Sequence, residues 1–278
     1  MRGCRIRDGA LCSVMVCGTG KLLLDGCQLL PGGGGGVCVS GKGEVLLQGS
    51  VISGALGAGL EVRGSGRVLM SRCDISRCGK AGIFCHQSAA VDARACVIAR
   101  NGFAGVECVG PTAHALVRDC SLLDGSRGGI FVHSNGRAEV RSSLVARSAF
   151  AGVHVKWGGQ LRLEECRVED GRKVGFLVEG DGSSMYVAAC SASGNAEAAP
   201  VLAMDGGACV LEAGGSSVPA AEIGTRQGRE PGLRYADPAQ IDSSWVAPGD
   251  VRCQRGGFLA QGGASAGAWS PIESVFLS

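Results

Sequence analysis

Two stretches, CDISRCGKAGIFC at Cys73–Cys85 and CVIARNGFAGVEC at Cys96–Cys108, decide how this chain folds. They begin 23 residues apart, and each carries a leading cysteine, an apolar residue two places on, and a glycine ahead of an apolar-x-apolar triplet. Outward from them, Cys4, Cys27, Ser50, Cys73, Cys96, Cys120, Ser143, Cys166 and Cys190 fall on the same grid with two single-residue insertions. Beyond these nodes runs an apolar row of Ile6, Leu29, Ile52, Ile75, Ile98, Leu122, Val145 and Val168, fading at Ala192. Each node therefore opens a short strand. Before the nodes, pairs such as Leu22 and Leu24, Val45 and Leu47, Val68 and Met70, and Leu161 and Leu163 alternate as a half-buried strand does. Gly36, Gly59, Gly82, Gly105, Gly129, Gly152 and Gly175 each precede a triplet (VCV, LEV, IFC, VEC, IFV, VHV, FLV) that makes a third strand.

One repeat is thus one coil of three strands. The spacing predicts an all-β, right-handed, single-stranded parallel β-helix over residues 1–215. At ~4.8 Å per coil, about nine coils make a rod about 40 Å long. A four-stranded propeller blade needs a longer period, and a leucine-rich repeat needs a leucine-asparagine consensus that is missing here. The 48 glycines and 4% aromatic content agree with many short strands between turns rather than with helices. GTG, GKG and GSG at Gly18–Gly20, Gly41–Gly43 and Gly64–Gly66 recur on the grid, which marks a turn requirement and not a phosphate loop. Met1 stands just before a node, so the first coil lacks its leading strand. That implies a fragment, a shortened gene product or a coil capped by a partner. Residues 216–278 hold the prolines of REPGLRYADPAQ and lose the periodicity. They read as a Pro/Gly-rich cap using Trp245, Phe258 and Trp269, or as a partly disordered tail.

A net charge of +2, with Lys and Arg spread along the chain, argues against a nucleic-acid partner. No apolar run suits a signal peptide or a membrane span. The chain therefore reads as cytoplasmic with no membrane partner, and its 15 cysteines read as reduced structural thiols inside the coil. No clustered Cys-His spacing implies a metal, and no motif implies a cofactor.

The two quoted stretches resemble the parallel β-helix repeats of F-box β-helix proteins, of carbohydrate-binding and sugar-hydrolase-like modules, and of periplasmic copper-enzyme accessory proteins. The resemblance covers residues 1 to about 215 and implies the fold, with protein or glycan as the partner. This chain has Cys where Asn often stacks, and no F-box precedes the repeat.

On the outward face of the third strand stand Glu61, Arg63, Phe84, His86, Glu107, Phe131, His133, His154 and Lys156. Exposed aromatics beside charged and imidazole groups suit a shallow ligand groove, because sugar rings stack on such faces while polar groups bond their hydroxyls. The alternative is a solvated sheet with scattered apolar groups. His114 reads as a turn residue. Glu61 and Glu107, two coils and ~9.6 Å apart, approach the separation of an inverting glycosidase, but Asp92 with Glu139 and Asp124 with Asp170 repeat that spacing elsewhere. Arg94, Arg118 and Arg141 form an outward row that would hold an anionic sugar or be neutralised by Asp92, Glu139 and Glu164. No column has acids on three consecutive coils, as a calcium-dependent lyase would want. The expected function is a non-catalytic recognition or scaffold module. The alternative is a polysaccharide-active enzyme, either a hydrolase or a lyase.

Overall fold

The computed structural model of the chain describes residues 1–30, 32–196, 201–211, 223–224 and 258–261. Among them lie three sheets, of nine, ten and ten strands, in which each strand's neighbours come from the coils before and after it. One coil runs from a leading strand, Arg67–Ser71, through the node strand Asp74–Ser76 to the third strand Ile83–His86. Each pairs in parallel with its counterpart in the next coil, as in Val68↔Val91, Ile75↔Ile98 and Cys85↔Cys108. The alternating pattern thus puts every apolar row inside one continuous core.

Left-handed residues turn the corners. Gly26, Gly49, Arg72, Ala95, Asp119, Ser142, Glu165 and Ala189, each just before a node, all have φ between 45° and 60°. The turn they make aims the node's own N–H into the core, where it needs an acceptor. The next coil's node supplies it. Cys27 N donates to Ser50 Oγ at 3.0 Å, Cys73 N to Cys96 Sγ at 3.5 Å, Cys96 N to Cys120 Sγ at 3.4 Å, Cys120 N to Ser143 Oγ at 3.1 Å, and Cys166 N to Cys190 Sγ at 3.3 Å. In turn the Cys96 thiol donates to Arg94 O at 3.1 Å and the Ser143 hydroxyl to Arg141 O at 2.7 Å. The node row is therefore a polar ladder, which explains why serine replaces cysteine in it and valine does not. Every cysteine among the described residues is a free thiol. Burial pushes the Cys209 thiol up to about 12.

A second left-handed corner follows the node strand at Gly54, Arg77, Arg100, Asp124, Arg147, Asp170 and Gly194. It is capped by the same device: Cys78 N donates to Asn101 Oδ1 at 3.0 Å and Gly171 N to Asn195 Oδ1 at 3.0 Å. The glycine ahead of each third strand serves close approach. A Cβ at Gly82 would lie against the Ile98 side chain, 2.7 Å from Asn101 Nδ2 and 2.8 Å from Gly105 O. Equivalent collisions at Gly36, Gly59, Gly129 and Gly152 are with Ile52, Ile75, Val145 and Val168, members of the apolar row beyond the nodes.

The third corner carries the GTG-type turns, with positive φ at Gly18, Gly41 and Gly64. It also absorbs both insertions. Pairing is offset by 23 residues at Cys85↔Cys108 but by 24 at Ala90↔His114, and by 23 at His154↔Leu177 but by 24 at Gln160↔Ser184. His114, expected in a turn, instead opens the strand His114–Arg118, because the inserted residue lengthens the turn ahead of it.

At the first coil, only a bridge between Arg2 and Asp25 stands in for a leading strand. Within 216–278, where the fading pattern predicts no further repeat, Ile223–Gly224 joins the third sheet and Phe258–Gln261 joins the leading sheet beside Ala208–Leu211. Backbone ladders need no side-chain period, which is why composition misses these strands. Trp245 and Trp269 lie outside the described residues.

Candidate functional site

The pleat sends two outward columns up the third sheet. One reads Glu61, Phe84, Glu107, Phe131, His154 and Leu177, and the other Arg63, His86, Val109, His133, Lys156 and Glu179. Diagonal neighbours across these columns pair. Glu61 Oε1 meets His86 Nε2 at 3.2 Å, Glu107 Oε1 meets His133 Nε2 at 3.2 Å, and His154 Nε2 meets Glu179 Oε1 at 2.9 Å. Lys156 Nζ shares Glu179 Oε1 at 2.7 Å, and Arg63 leans toward Glu61 at 4.0 Å. The rings stack as well: Phe84 on His86 with centroids 4.4 Å apart, and Phe131 between His133 at 4.3 Å and His154 at 4.7 Å. The structure thus joins all nine sequence-derived residues into one strip of His-Glu pairs braced by phenylalanine.

Two of them are buried rather than exposed, and among the other seven only Arg63 is exposed. Phe131 is only 5% exposed and His154 only 3%. The corner loops fold over this part of the sheet, setting the Phe103 ring 6.0 Å from Phe131 and the Phe150 ring 5.7 Å from His154. Farther along, Val174, Leu177 and Leu202 pack into a small apolar cluster on the same outer side. Burial holds His154 below the usual imidazole range, although Glu179 pulls the other way. Its Nδ1 is buried with no hydrogen-bond partner, as fits a neutral ring whose Nε2–H donates to Glu179. Burial alone would raise Glu179, but Lys156 and His154 hold it below the ordinary carboxylate value.

The residue that sequence reasoning missed is Trp157. It follows Lys156 in the third corner, where other coils place Gly41, Gly64, Gln87, Gly110, Ser134, Gly180 or Asp205, and it holds φ at 50°. A bulky side chain in the left-handed region costs ~1–2 kcal/mol. The indole is nonetheless 57% exposed, edge-on to His133 at 5.6 Å and with Lys156 Nζ 4.7 Å from its ring centroid. Its side chain marks it out, because every equivalent position is left-handed as well and spacing assigns it to a small turn residue.

Ser134 also joins the strip, with Oγ 3.0 Å from His133 Nδ1, so serine, imidazole and Glu107 stand in line. Acyl transfer from such a line needs free donors aimed at the developing oxyanion. The next two backbone N–H groups are already used, Asn135 N by Trp157 O at 3.0 Å and Gly136 N by His133 O at 2.9 Å. Glu61 and Glu107 have Phe84 between them, and each is tied to its own histidine.

On the leading sheet the arginine row is neutralised. Arg94 and Arg118 each meet Asp92 at 3.0 Å, and Arg141 meets Glu139 at 3.3 Å and Glu164 at 3.1 Å. Arg162 also pairs with Glu164. Asp92 and Glu139 are buried beneath these groups on either side of Leu116, and burial raises Glu139. Among the described residues, no group of His, Cys, Asp and Glu is placed to hold a metal ion.

Three parallel sheets wound from consecutive coils, with polar ladders at the corners, define a parallel β-helix. A family model described as a right handed beta helix region matches residues 1–112 and 104–213, and the chain belongs to that family. Comparison with curated proteins gives no match.

Proposed function

We propose that this protein is a non-catalytic recognition module that takes a protein or glycan ligand along the outer face of its third sheet. The observation that carries the reading is the strip itself. Its carboxylates are each committed to a neighbouring histidine or lysine, while an exposed indole stands beside them at a strained backbone position. A catalytic pair of carboxyls would need one proton held and one base free around a shared substrate bond. Paired groups along a sheet face instead present fixed donors and acceptors, with Trp157 and Phe84 as apolar patches for a sugar ring or a partner's side chain.

The test is a glycan array and an affinity capture with the whole chain, repeated with His133→Ala and Trp157→Ala after circular dichroism has shown the β signal unchanged. Loss of the same ligand with both variants supports the reading, and binding that survives both overturns the site. Incubation with polygalacturonate, alginate and neutral glucans, with and without calcium, tests the enzymatic alternative. Turnover abolished by Glu107→Gln would overturn the non-catalytic reading.

A further inference from the structure

The corner between the node strand and the third strand carries charge that its geometry does not require. Its left-handed position is glycine at Gly54 and Gly194, yet the coils between place Arg77, Arg100 and Arg147 there, with Asp124 and Asp170. Three residues on, successive coils present Lys80, Phe103, Arg127, Phe150 and Lys173, an alternation of cation and aromatic up the rod. Backbone bonds keep these loops in step, with Arg127 N donating to Phe103 O at 3.1 Å and Arg172 N to Ser148 O at 2.8 Å.

Cations outnumber carboxylates along this corner. Arg147 is held by Asp124 through bonds of 2.8 and 3.1 Å, Asp124 also feels the charge of Arg100, and Asp170 is the other carboxylate of these loops. Arg77, Lys80, Arg100, Arg127 and Arg172 are all exposed. Arg127 is also preorganised. Its guanidinium carbon stands 5.3 Å from the Phe103 ring centroid and 5.8 Å from those of Phe131 and Phe150. A planar guanidinium held over rings keeps its N–H edges for a carboxylate fork and loses little freedom on binding.

We propose that this corner is a docking ridge for an extended, acidic segment of a partner polypeptide. From the coil of Arg77 to that of Arg172 is four steps, or ~19 Å, which about six extended residues would span. Arginine predominates, matching carboxylates, and the phenylalanines support Arg127 rather than offering free faces for bases to stack on. The ridge lies beside the third-sheet face and does not depend on that face binding anything.

Fluorescence anisotropy of a labelled oligoglutamate of ~10 residues, titrated with the whole protein at ~20 mM salt, tests the ridge. Arg100→Glu with Arg127→Glu is expected to weaken binding by about tenfold or more, while Lys42→Glu at the third corner changes it less than about twofold. Arg127→Lys, which keeps the charge and loses the stacked fork, is expected to fall between them. Absence of oligoglutamate binding, or equal losses with the Lys42 and the double variants, would overturn the proposal. Tighter binding of an oligouridylate or a sulfated oligosaccharide, lost with the same double variant, would reassign the ridge to that polymer. Since Arg100 occupies a left-handed position, a thermal melt of each variant separates misfolding from loss of the ridge.

Discussion

Cys96 accepts a hydrogen bond from the N–H of Cys73 and donates one to Arg94 O, and Ser50 and Ser143 do the same with oxygen. Cys96→Ser is therefore expected to change stability by less than about 1 kcal/mol, whereas Cys96→Ala leaves the buried N–H of Cys73 unpaired and costs ~1–3 kcal/mol. Urea denaturation of the two variants checks the difference, and equal losses would show that only the volume of the side chain counts. His154 gives a pH signature. Its folded value is lowered by burial from the ordinary 6.5, so the unfolded chain takes up the proton first. Stability is then full above pH 6.5 and falls as the pH drops below it, and His114, lowered by burial and by Arg137, adds to the same trend. Melting temperatures read across that range should drop for the parent and drop less for a His154→Gln, His114→Gln variant. The node grid was legible in the sequence because a repeated residue needs no structure to be counted. Its hydrogen-bonding purpose was not, because it depends on the direction of an N–H at a corner. Phe131 and His154 were placed on the correct face by alternation alone, but their burial comes from Phe103 and Phe150 in a neighbouring loop, a contact that strand period does not encode.

At the scale of the element, the three corners differ in what they tolerate. Gly82→Ala would drive a Cβ into Ile98 and against Asn101 Nδ2, and overpacking of this kind costs ~1–3 kcal/mol. Ile98→Ala should return part of that loss in a double-mutant cycle, and simple additivity would argue against the contact. At the third corner the sign reverses. Trp157→Gly removes a left-handed tryptophan and is expected to raise stability by up to ~1 kcal/mol in the same denaturation assay. A gain there, combined with loss of ligand, would identify a residue kept at a cost to the fold. Strand positions, the inward rows and the close-packed glycines followed from spacing, because each repeats in nearly every coil. Trp157 and the Arg127 stack occur once, and a single departure from a repeat looks like noise until its neighbours are seen in space.

For the whole molecule, each coil touches mainly the coils beside it, so stability adds along the rod as a nearest-neighbour sum. Hydrogen exchange should be slowest in the central node strands around Ile75–Val145 and faster toward the first coil, where Met1 is 59% and Leu11 80% exposed. Uniform protection from end to end would contradict that picture. Both single-residue insertions of the node grid fall at one corner, after the third strand, and the core passes through these coils without a break. That corner borders the strip of His-Glu pairs and carries Trp157. A lineage of such rods can therefore lengthen, shorten or replace its turns there, one coil at a time, and explore new ligands while the cysteine column beneath continues to specify the same winding.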